Sequence, residues 1–272
     1  MDTKQVTANI DRFSGYAERY DTYRPKPPGV LPALLMQVAR VQRPCLVVDL
    51  GSGTGLSTFI WAEKAEEVVG VEPNADMRAY ASRCALDLPR TARIRFENAV
   101  SSDTHLPDAC ADIVTCSQSL HWMEPQSTFA EVARILRPGG CFAAYDCDWP
   151  PTMHWEAEMA FDALFSRAER LGGERGYYRD VVKWDKEQHL GRMKASGHFR
   201  FVREILLHNV ESGNAERLVG IALSQGNIAT LIKSGVTAEE IGVDDLRRIA
   251  ERTIGCDPIA WYFSYRVRLG VR

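Results

Sequence analysis

A glycine-rich stretch directly after a short apolar run constrains the fold of this chain most strongly. The run Cys45–Leu50 has the length and composition of a buried strand, and it leads into Gly51-Ser52-Gly53-Thr54-Gly55. Residues without a Cβ let the backbone turn sharply and approach a ligand closely, as they do between strand and helix in nucleotide-binding sheets. The stretch therefore predicts a strand-turn-helix unit whose turn faces a ligand.

Apolar runs and amphipathic stretches alternate between residues 45 and 146 in a way that is typical of a parallel sheet. Strands are predicted at 45–50, 67–71, 94–96, 111–115 and 141–145, and helices at 56–65, 74–85 and around 129–136. Two further strands are predicted near the C-terminus, at 199–210 and 259–269. We therefore expect an α/β fold with a Rossmann-like, seven-stranded, mostly parallel sheet and helices on both faces.

The chain is long enough for one large domain with additions on both sides of the predicted core. Its 272 residues exceed the roughly 150 of a usual domain, and we see no internal repeat. We expect a single domain, 1–272, in which residues 45–146 bind the cofactor. Residues 1–42 are expected to form an N-terminal helical cap of two helices, interrupted at Arg24-Pro25.

Two stretches after the core are predicted to be mainly helical. Residues 150–198 combine aromatic and charged side chains, and their Gly172-Gly173 pair is expected to break a helix. Residues 211–257 form an insertion between the last two predicted strands and are expected to hold about two helices. We assign both stretches to a lid over the substrate.

An acidic residue at the end of the second predicted strand strengthens the prediction of a nucleoside ligand. Glu72 follows Gly55 by 17 residues, where a carboxylate can accept hydrogen bonds from both ribose hydroxyls. The spacing Gly-x-Gly-x-Gly brings the third glycine one residue earlier than in the dinucleotide fingerprint, and Asp49 precedes the first glycine by two residues. The alternative is a tight strand-helix turn beside a surface acid.

The motifs along residues 45–145 resemble those of the class I S-adenosylmethionine-dependent methyltransferases. Within that superfamily the chain looks most like the small-molecule group that includes trans-aconitate methyltransferases. The motifs that carry the resemblance are Asp49–Gly55, Val71-Glu72-Pro73, Ser101-Ser102 with Leu106-Pro107-Asp108, Ser117–Trp122, Leu136–Gly140 and Tyr20-x-x-Tyr23-Arg24-Pro25. The core motifs follow one another in the order of the family, which makes the superfamily assignment specific.

The resemblance implies which residues contact S-adenosylmethionine. The glycine turn would pass under the methionine and the ribose, Asp49 would steady that turn, and Glu72 would hold the ribose hydroxyls. The loop after the third strand would lie along the adenine, where relatives often have an acidic residue that this chain lacks. The residues assigned to the cofactor are Asp49, Gly51, Ser52, Gly53, Gly55, Glu72, Pro73, Asn74, Met77, Val100, Ser101, Ser102, Ser117 and Gln118.

The acceptor is expected at the same edge of the sheet, because ligands bind beyond the carboxyl ends of parallel strands. His121 is a candidate to orient an acceptor oxygen or to act as general base, and Asp146 is a second candidate base. The alternative for both is a structural role. The residues assigned to the substrate are Tyr20, Tyr23, Arg24, His121, Trp122 and Trp149.

Methyl transfer from a sulfonium depends mainly on aligning donor and acceptor, because the positive charge already activates the leaving group. The resemblance implies methyl transfer to a small molecule, with an organic acid carboxylate as one candidate, by in-line attack on the methyl group. Two alternatives remain open. One is a nicotinamide-dependent oxidoreductase, and the other is a non-catalytic, methyltransferase-like protein that binds the cofactor.

Charge and cysteine content restrict the partners and the compartment. The chain has 33 Lys and Arg against 36 Asp and Glu, and the net charge of −3 lacks the broad positive field of nucleic-acid-binding proteins. No apolar run approaches a membrane span, and seven cysteines without a Cys-x-x-Cys pair indicate free thiols and no metal site. Six arginines from Arg247 to Arg272 are expected on a solvated helix face. We expect a cytoplasmic monomer or homodimer with a small-molecule acceptor.

Overall fold

A computed structural model describes residues 3–89 and 92–272, which form one sheet with helices on its two faces. The strands are β1 (Leu46–Leu50), β2 (Glu67–Val71), β3 (Ile94–Glu97), β4 (Ala111–Ser117), β5 (Leu136–Cys147), β6 (Phe201–Gly213) and β7 (Ile259–Val271). The helices are α1 (Thr3–Asp11), α2 (Ala17–Tyr23), α3 (Leu31–Val38), α4 (Ala75–Cys84), α5 (Pro125–Ile135), α6 (Trp155–Glu174), α7 (His189–Ala195), α8 (Ala215–Leu223), α9 (Gly226–Lys233), α10 (Ala238–Ile241) and α11 (Val243–Thr253). Across the described ranges, no helix is both long and apolar enough to cross a membrane.

The strand order β3-β2-β1-β4-β5-β7-β6 places the glycine turn near the middle of one sheet edge. Strands β1 to β5 pair in parallel, and β7 is antiparallel to both β5 and β6. Because β1 lies between β2 and β4, the strand order reverses beside β1, and a crevice opens beyond the carboxyl ends of these strands. The predicted seven-stranded, mostly parallel sheet is confirmed, with α8 to α11 inserted between its last two strands.

Alternating side chains of the central strands divide the core into two apolar layers. Val47 and Ile113 pack with residues of α3, α6, α8 and α11 on one face of the sheet. Val48 and Val114 pack with residues of α5 and α7 on the other face. Each side chain of this size stabilises the fold by about 1.5–3 kcal/mol when it is fully buried. The two layers hold helices on both faces and leave the carboxyl edge of the sheet open to ligands.

The predicted helix at 56–65 is wrong, because the chain forms turns there with one 3₁₀ turn at Phe59–Trp61. Trp61 donates its N–H to the carbonyl of Thr58 at 3.2 Å, an i to i+3 bond. The Thr58 hydroxyl donates to Asp49 Oδ2 at 2.8 Å. This side-chain bond to a buried carboxylate competes with regular helix formation, and local periodicity does not show it.

The N-terminal cap has three short helices where two were predicted, because an additional break occurs at 12–16. Gly15 has a φ of +80° and donates its N–H to Asp76 Oδ2 at 3.0 Å. A left-handed residue cannot continue a right-handed helix, so it separates α1 from α2. The interruption expected at Arg24-Pro25 is present as the end of α2. Residues 1 and 2 of the predicted cap lie outside the described residues.

The two stretches assigned to a lid are helical only in part. α6 passes through Gly172-Gly173 before it ends, so the predicted break at this pair is wrong. A Cβ on Gly172 would lie 2.1 Å from the Tyr178 ring, so this glycine allows close packing instead. β6 extends through Gly213, and residues 215–253, all of them described, form four helices where about two were predicted.

The C-terminal arginines do not all lie on a solvated helix face, as was expected. Arg268 lies on β7, is 2% exposed, and pairs with Asp146 at 2.9 Å and with Glu204 at 3.1 Å. A buried cation is costly without a partner, so these two carboxylates are required where Arg268 enters the interior. The expectation failed for Arg268 because this residue lies within the strand predicted at 259–269, where its side chain points into the interior.

Candidate active site

Two adjoining cavities open beyond the carboxyl ends of the central strands. The first cavity has a volume of about 580 Å³ and the second of about 500 Å³, which are typical of small-ligand pockets. Four residues line both cavities: Phe13, Tyr20, Gln118 and Trp122. A ligand in the first cavity can therefore meet a ligand in the second across this shared wall.

Most of the residues assigned to the cofactor lie together around the first cavity. Those that line it are Gly51, Gly53, Glu72, Pro73, Met77, Val100, Ser101, Ser102, Ser117 and Gln118. The other assigned residues, Asp49, Ser52, Gly55 and Asn74, do not line the cavity. They lie at or beneath the glycine turn and at the start of α4, so they can influence a ligand only through the backbone that they support.

Glu72 holds the glycine turn from the end of β2. Its Oε2 accepts the Gly53 N–H at 2.9 Å, and its Oε1 accepts the Asn74 N–H at 2.7 Å. Burial raises the pKa of Glu72, and these two N–H groups oppose that rise. Each carboxylate oxygen can still accept a second hydrogen bond. A side chain that is 8% exposed thus presents acceptors suited to a pair of hydroxyls in the first cavity.

Asp49 supports the same turn from inside the sheet. Its carboxylate is fully buried and accepts hydrogen bonds from the hydroxyls of Thr58, at 2.8 Å, and Thr115, at 2.7 Å. Burial raises the pKa of Asp49 to about 6, although the hydroxyls favour the charged form. Asp49 therefore fixes the conformation of the residues on either side of the turn.

The three glycines of the turn have different structural roles. The φ angles of Gly51, Gly53 and Gly55 are +63°, +56° and +91°, all in the left-handed region. A Cβ on Gly51 would lie 2.7 Å from Ser119 Cβ, and one on Gly55 would lie 2.5 Å from the Phe59 ring. A Cβ on Gly53 would meet no atom within 4 Å. Close approach to a ligand is therefore a property of Gly53, whereas Gly51 and Gly55 leave room for neighbouring side chains.

Sequence reasoning missed the wall that α1 contributes to the first cavity. Asn9 is buried and donates its Nδ2 hydrogens to the carbonyls of Trp122, at 3.1 Å, and Val182, at 2.8 Å. Its Oδ1 accepts the Val182 N–H at 3.1 Å. These bonds join α1 to the loop after β4 and to the segment after α6. The only hint in the sequence was that Asn9 lies beside Ile10 and three residues after Val6, on an otherwise apolar helix face.

His121 lies on the wall of the second cavity, in the turn after β4. Its side chain is nearly buried, and Nδ1 lies 3.7 Å from Asp146 Oδ1, too far for a hydrogen bond. Burial, together with the nearby Lys186, lowers the pKa of His121 to about 3. The ring is therefore neutral near pH 7 and only weakly basic. This geometry argues against a general base, and the orientation of an acceptor oxygen stays a prediction for His121.

Asp146, the second predicted base, is held by two cations. Lys186 Nζ lies 2.8 Å from Oδ1, and Arg268 Nη1 lies 2.9 Å from Oδ2. Burial would raise the pKa of Asp146, but Lys186 and His121 lower it well below the usual range of a carboxylate. A carboxylate paired in this way accepts a proton poorly. The arrangement fits a positioning residue for Lys186, whose Nζ also reaches Gln118 Oε1 at 3.4 Å.

Most of the residues assigned to the substrate lie around the second cavity. Those that line it are Tyr20, Arg24, His121, Trp122 and Trp149. Tyr23 lines neither cavity, so its assignment to the substrate stays a prediction that the cavities do not support. A Cβ on Gly220 of α8 would lie 2.3 Å from the Tyr23 ring, and the Tyr23 hydroxyl lies 3.4 Å from Glu216 Oε1. Tyr23 therefore anchors α2 on α8.

Sequence reasoning also missed two of the cations of the second cavity. The Arg12 guanidinium lies 4.1 Å from the centre of the Trp122 ring, and Lys183 Nζ lies 5.8 Å from the same ring. Arg24, which was predicted, lies 5.2 Å from the centre of the Trp149 ring. Such cations can bind an anionic ligand. In the described part of the chain, no three His, Cys, Asp or Glu side chains are grouped as metal ligands.

Comparisons with known proteins agree with this geometry. Residues 48–144 match a family model described as a methyltransferase domain. CRG1 of Saccharomyces cerevisiae, named as a probable S-adenosylmethionine-dependent methyltransferase, is 32% identical over 125 residues, which are 46% of this chain and 43% of the relative. The uncharacterized methyltransferase Rv3342 of Mycobacterium tuberculosis is 36% identical over 131 residues, which are 47% of this chain and 49% of the relative. The chain spans about half the length of these curated relatives.

A solved structure has the same fold over nearly the whole chain. It is given as a candidate type II methyltransferase from Anaeromyxobacter dehalogenans, with a TM-score of 0.65 and 23% identity, over 92% of this chain and 98% of that chain. The assignment to the trans-aconitate methyltransferase group stays a prediction, since the names of these two curated relatives give no substrate. Residues 48–144 thus match a methyltransferase domain, and the strand order and the glycine turn beside Glu72 fit the fold of the class I S-adenosylmethionine-dependent methyltransferases.

Proposed function

We propose that this chain transfers the methyl group of S-adenosylmethionine to a carboxylate of a small organic acid. The shared wall of the two cavities carries the proposal. Gln118 and Trp122 line both cavities, so a cofactor in the first cavity can present its methyl group to an acceptor in the second. Alignment of donor and acceptor in this way accounts for most of the rate of a methyl transfer.

The residues of the first cavity fit S-adenosylmethionine. Glu72 offers two acceptor oxygens for the ribose hydroxyls, and Gly53 leaves open space beside the turn. Met77 and Val100 supply apolar surface for the adenine, beside the hydroxyls of Ser101 and Ser102. When bound, the cofactor supplies a methyl group activated by the sulfonium charge, and its transfer to a carboxylate leaves a methyl ester and S-adenosylhomocysteine.

The second cavity favours an acceptor that is already an anion. His121 is neutral and weakly basic, and Asp146 is paired with two cations, so neither is suited to remove a proton. A carboxylate needs no such base at neutral pH, whereas a phenol or an ammonium group does. Arg24 lines this cavity and supplies a positive charge there, while its Nε and Nη2 donate to Ser224 and Gln225. These features support a carboxylate acceptor for the proposed reaction.

The stretches assigned to a lid supply much of the wall of the second cavity. Phe165 and Glu169 of α6 line it, as does Tyr178 after that helix. Gln225 and Asn227, before and within α9, line it from the C-terminal insertion. This placement supports a substrate lid built from 150–198 and 211–257. A cytoplasmic location and a monomeric or homodimeric state remain predictions from composition.

The test uses purified protein, S-adenosylmethionine labelled in the methyl group, and a panel of aliphatic and aromatic acids, phenols and amines. We expect release of S-adenosylhomocysteine with acids only, and a label that alkali releases as methanol, because esters hydrolyse readily. The Glu72→Ala variant should lose cofactor binding and turnover, whereas Lys194→Gln, at an exposed position outside both cavities, should keep both.

Three results would contradict parts of the proposal. An alkali-stable label would show methyl transfer to a group other than a carboxylate. Cofactor binding without turnover on the whole panel would favour the non-catalytic alternative. Binding of a nicotinamide cofactor in place of S-adenosylhomocysteine would favour the oxidoreductase alternative and refute the proposed function as a whole.

A further inference from the structure

Arg12 and Lys183 bring two positive charges to one aromatic ring in the second cavity. Both lie within cation–π distance of Trp122, at 4.1 Å for the Arg12 guanidinium and 5.8 Å for Lys183 Nζ. Burial lowers the pKa of Arg12, and burial and the nearby Lys186 lower the pKa of Lys183. Two like charges held together in a partly desolvated site repel one another, so the arrangement is unfavourable until an anion joins it.

No carboxylate in residues 3–89 and 92–272 forms an ion pair with Arg12 or Lys183, which distinguishes them from the cations paired with Asp146 and Asp148. Arg12 Nε is buried without a hydrogen-bond partner. Glu169 attracts both cations but does not contact them, and its Oε1 accepts a hydrogen bond from Asn227 at 3.0 Å. A buried charge that lacks a partner is costly, so an external anion has a site here.

Three other cations of the second cavity are already paired with carboxylates, and a fourth, Arg24, donates to Ser224 and Gln225. Lys186 and Arg268 both bind Asp146, and Arg266 Nε lies 3.0 Å from Asp148 Oδ1. An incoming anion would have to displace a carboxylate from any of these three cations. At Arg12 and Lys183 it displaces no carboxylate of the described residues, so the full interaction with these cations favours binding.

The backbone around Arg12 holds its guanidinium at the cavity. The Lys233 ammonium of α9 donates to the carbonyls of Arg12 and Ser14. Asn9, one turn earlier, is bonded to the backbone of Trp122 and Val182. The hydrogen bonds of Asn9 thus connect the two segments that carry Arg12 and Lys183. They fix the positions of both cations relative to the Trp122 ring before a ligand binds.

We propose that Arg12, directly after α1, and Lys183, in the segment after α6, form an anion subsite beside Trp122. This subsite selects the carboxylate of the acceptor. The assignment rests on the proposed function for the identity of the second ligand as a methyl acceptor. Trp122 lines the shared wall, so an anion bound at this subsite lies next to the first cavity. The two residues therefore determine specificity by charge, and they need not take part in proton transfer.

The test compares acids with their uncharged amides, which have nearly the same shape. Calorimetry measures binding of benzoate, phenylacetate and cyclohexanecarboxylate, and of the three corresponding amides, to protein saturated with S-adenosylhomocysteine. We expect the wild type to bind at least one acid about tenfold or more tightly than its amide. Arg12→Gln and Lys183→Gln should each weaken that acid about tenfold, as expected for loss of a charge-assisted contact, and change the amide less than about twofold.

Matched variants separate charge from packing. Lys183→Arg should retain the preference for the acid, and Lys194→Gln, which removes an exposed lysine outside both cavities, should leave all affinities unchanged. Equal binding of every acid and its amide by the wild type would overturn the subsite, as would equal loss of acid and amide in Lys183→Gln. Because S-adenosylhomocysteine binding is measured separately, a failure of the cofactor assignment is distinguishable from a failure of the subsite.

Discussion

Replacing Asp49 by asparagine tests how the buried carboxylate under the glycine turn affects stability. Burial raises the pKa of Asp49 from 3.8 to about 6. A carboxyl whose pKa is raised by folding binds its proton more tightly in the folded state. Its contribution to stability is therefore fully present below the unfolded pKa and is lost as the pH rises through the folded pKa. The shift corresponds to about 3 kcal/mol, of which about 1.5 kcal/mol is lost between pH 5 and pH 8.

Urea unfolding of the wild type and of Asp49→Asn at pH 5, 6, 7 and 8 measures this effect. Asparagine does not titrate, and its amide oxygen can still accept from Thr58 or Thr115. The stability of the variant relative to the wild type should therefore rise by about 1.5 kcal/mol from pH 5 to pH 8. Asp148→Asn, at an exposed carboxylate paired with Arg266, is the control and should show little change. A difference between Asp49→Asn and wild type that stays constant with pH would refute the reasoning.

The same variant distinguishes support of the turn from contact with the cofactor. Asp49 does not line the first cavity, so calorimetry of Asp49→Asn with S-adenosylhomocysteine should show a change in Kd of less than about fivefold. A loss of two orders of magnitude would instead place the carboxylate in direct interaction with the ligand.

Four further substitutions test the site. Glu72→Gln should weaken S-adenosylhomocysteine binding about 10- to 100-fold by calorimetry, because the amide keeps only one of two acceptor oxygens; unchanged affinity would remove Glu72 from the site. Gly51→Ala should lower the free energy of unfolding by at least about 2 kcal/mol, because the new Cβ would clash with Ser119. Gly53→Ala should lower it by only about 1 kcal/mol, because its Cβ meets no atom within 4 Å. Equal losses would contradict the different roles of the two glycines. A histidine whose pKa is lowered to about 3 by folding stabilises the fold above its unfolded pKa, and this contribution is lost as the pH falls towards the folded pKa. From pH 7.5 to pH 5, urea unfolding of His121→Asn should therefore show a loss of stability about 2 kcal/mol smaller than that of the wild type. An unchanged pH profile would show that the ring is not buried in its neutral form.

Local patterns were sufficient for the elements whose contacts are close in the chain. The run ending at Leu50 forms β1 with Asp49 buried, and Asn74 caps α4 by accepting the Met77 N–H, as the sequence order predicts. The helix expected at 56–65 failed because its hydroxyls bond a carboxylate on a neighbouring strand. The break expected at Gly172-Gly173 is absent because the Tyr178 ring, which follows the helix, packs against Gly172. In both cases the deciding contact is between side chains or at a missing Cβ, which the periodicity of apolar residues does not report.

The glycine turn, Glu72 and the parallel sheet could be predicted from sequence, because they belong to strand-turn-helix units whose geometry depends on short spacings. The acceptor side depended on tertiary structure. Arg12 and Lys183 are distant in the chain and meet only because α1 and the segment after α6 fold over Trp122. The amino-acid composition gives the number of charged residues, but it does not show which carboxylate pairs with each cation. Arg268 pairs with Asp146 inside the sheet, whereas Arg12 and Lys183 have no carboxylate in ion-pair contact among the described residues, so these two side chains contribute unpaired positive charge to the second cavity.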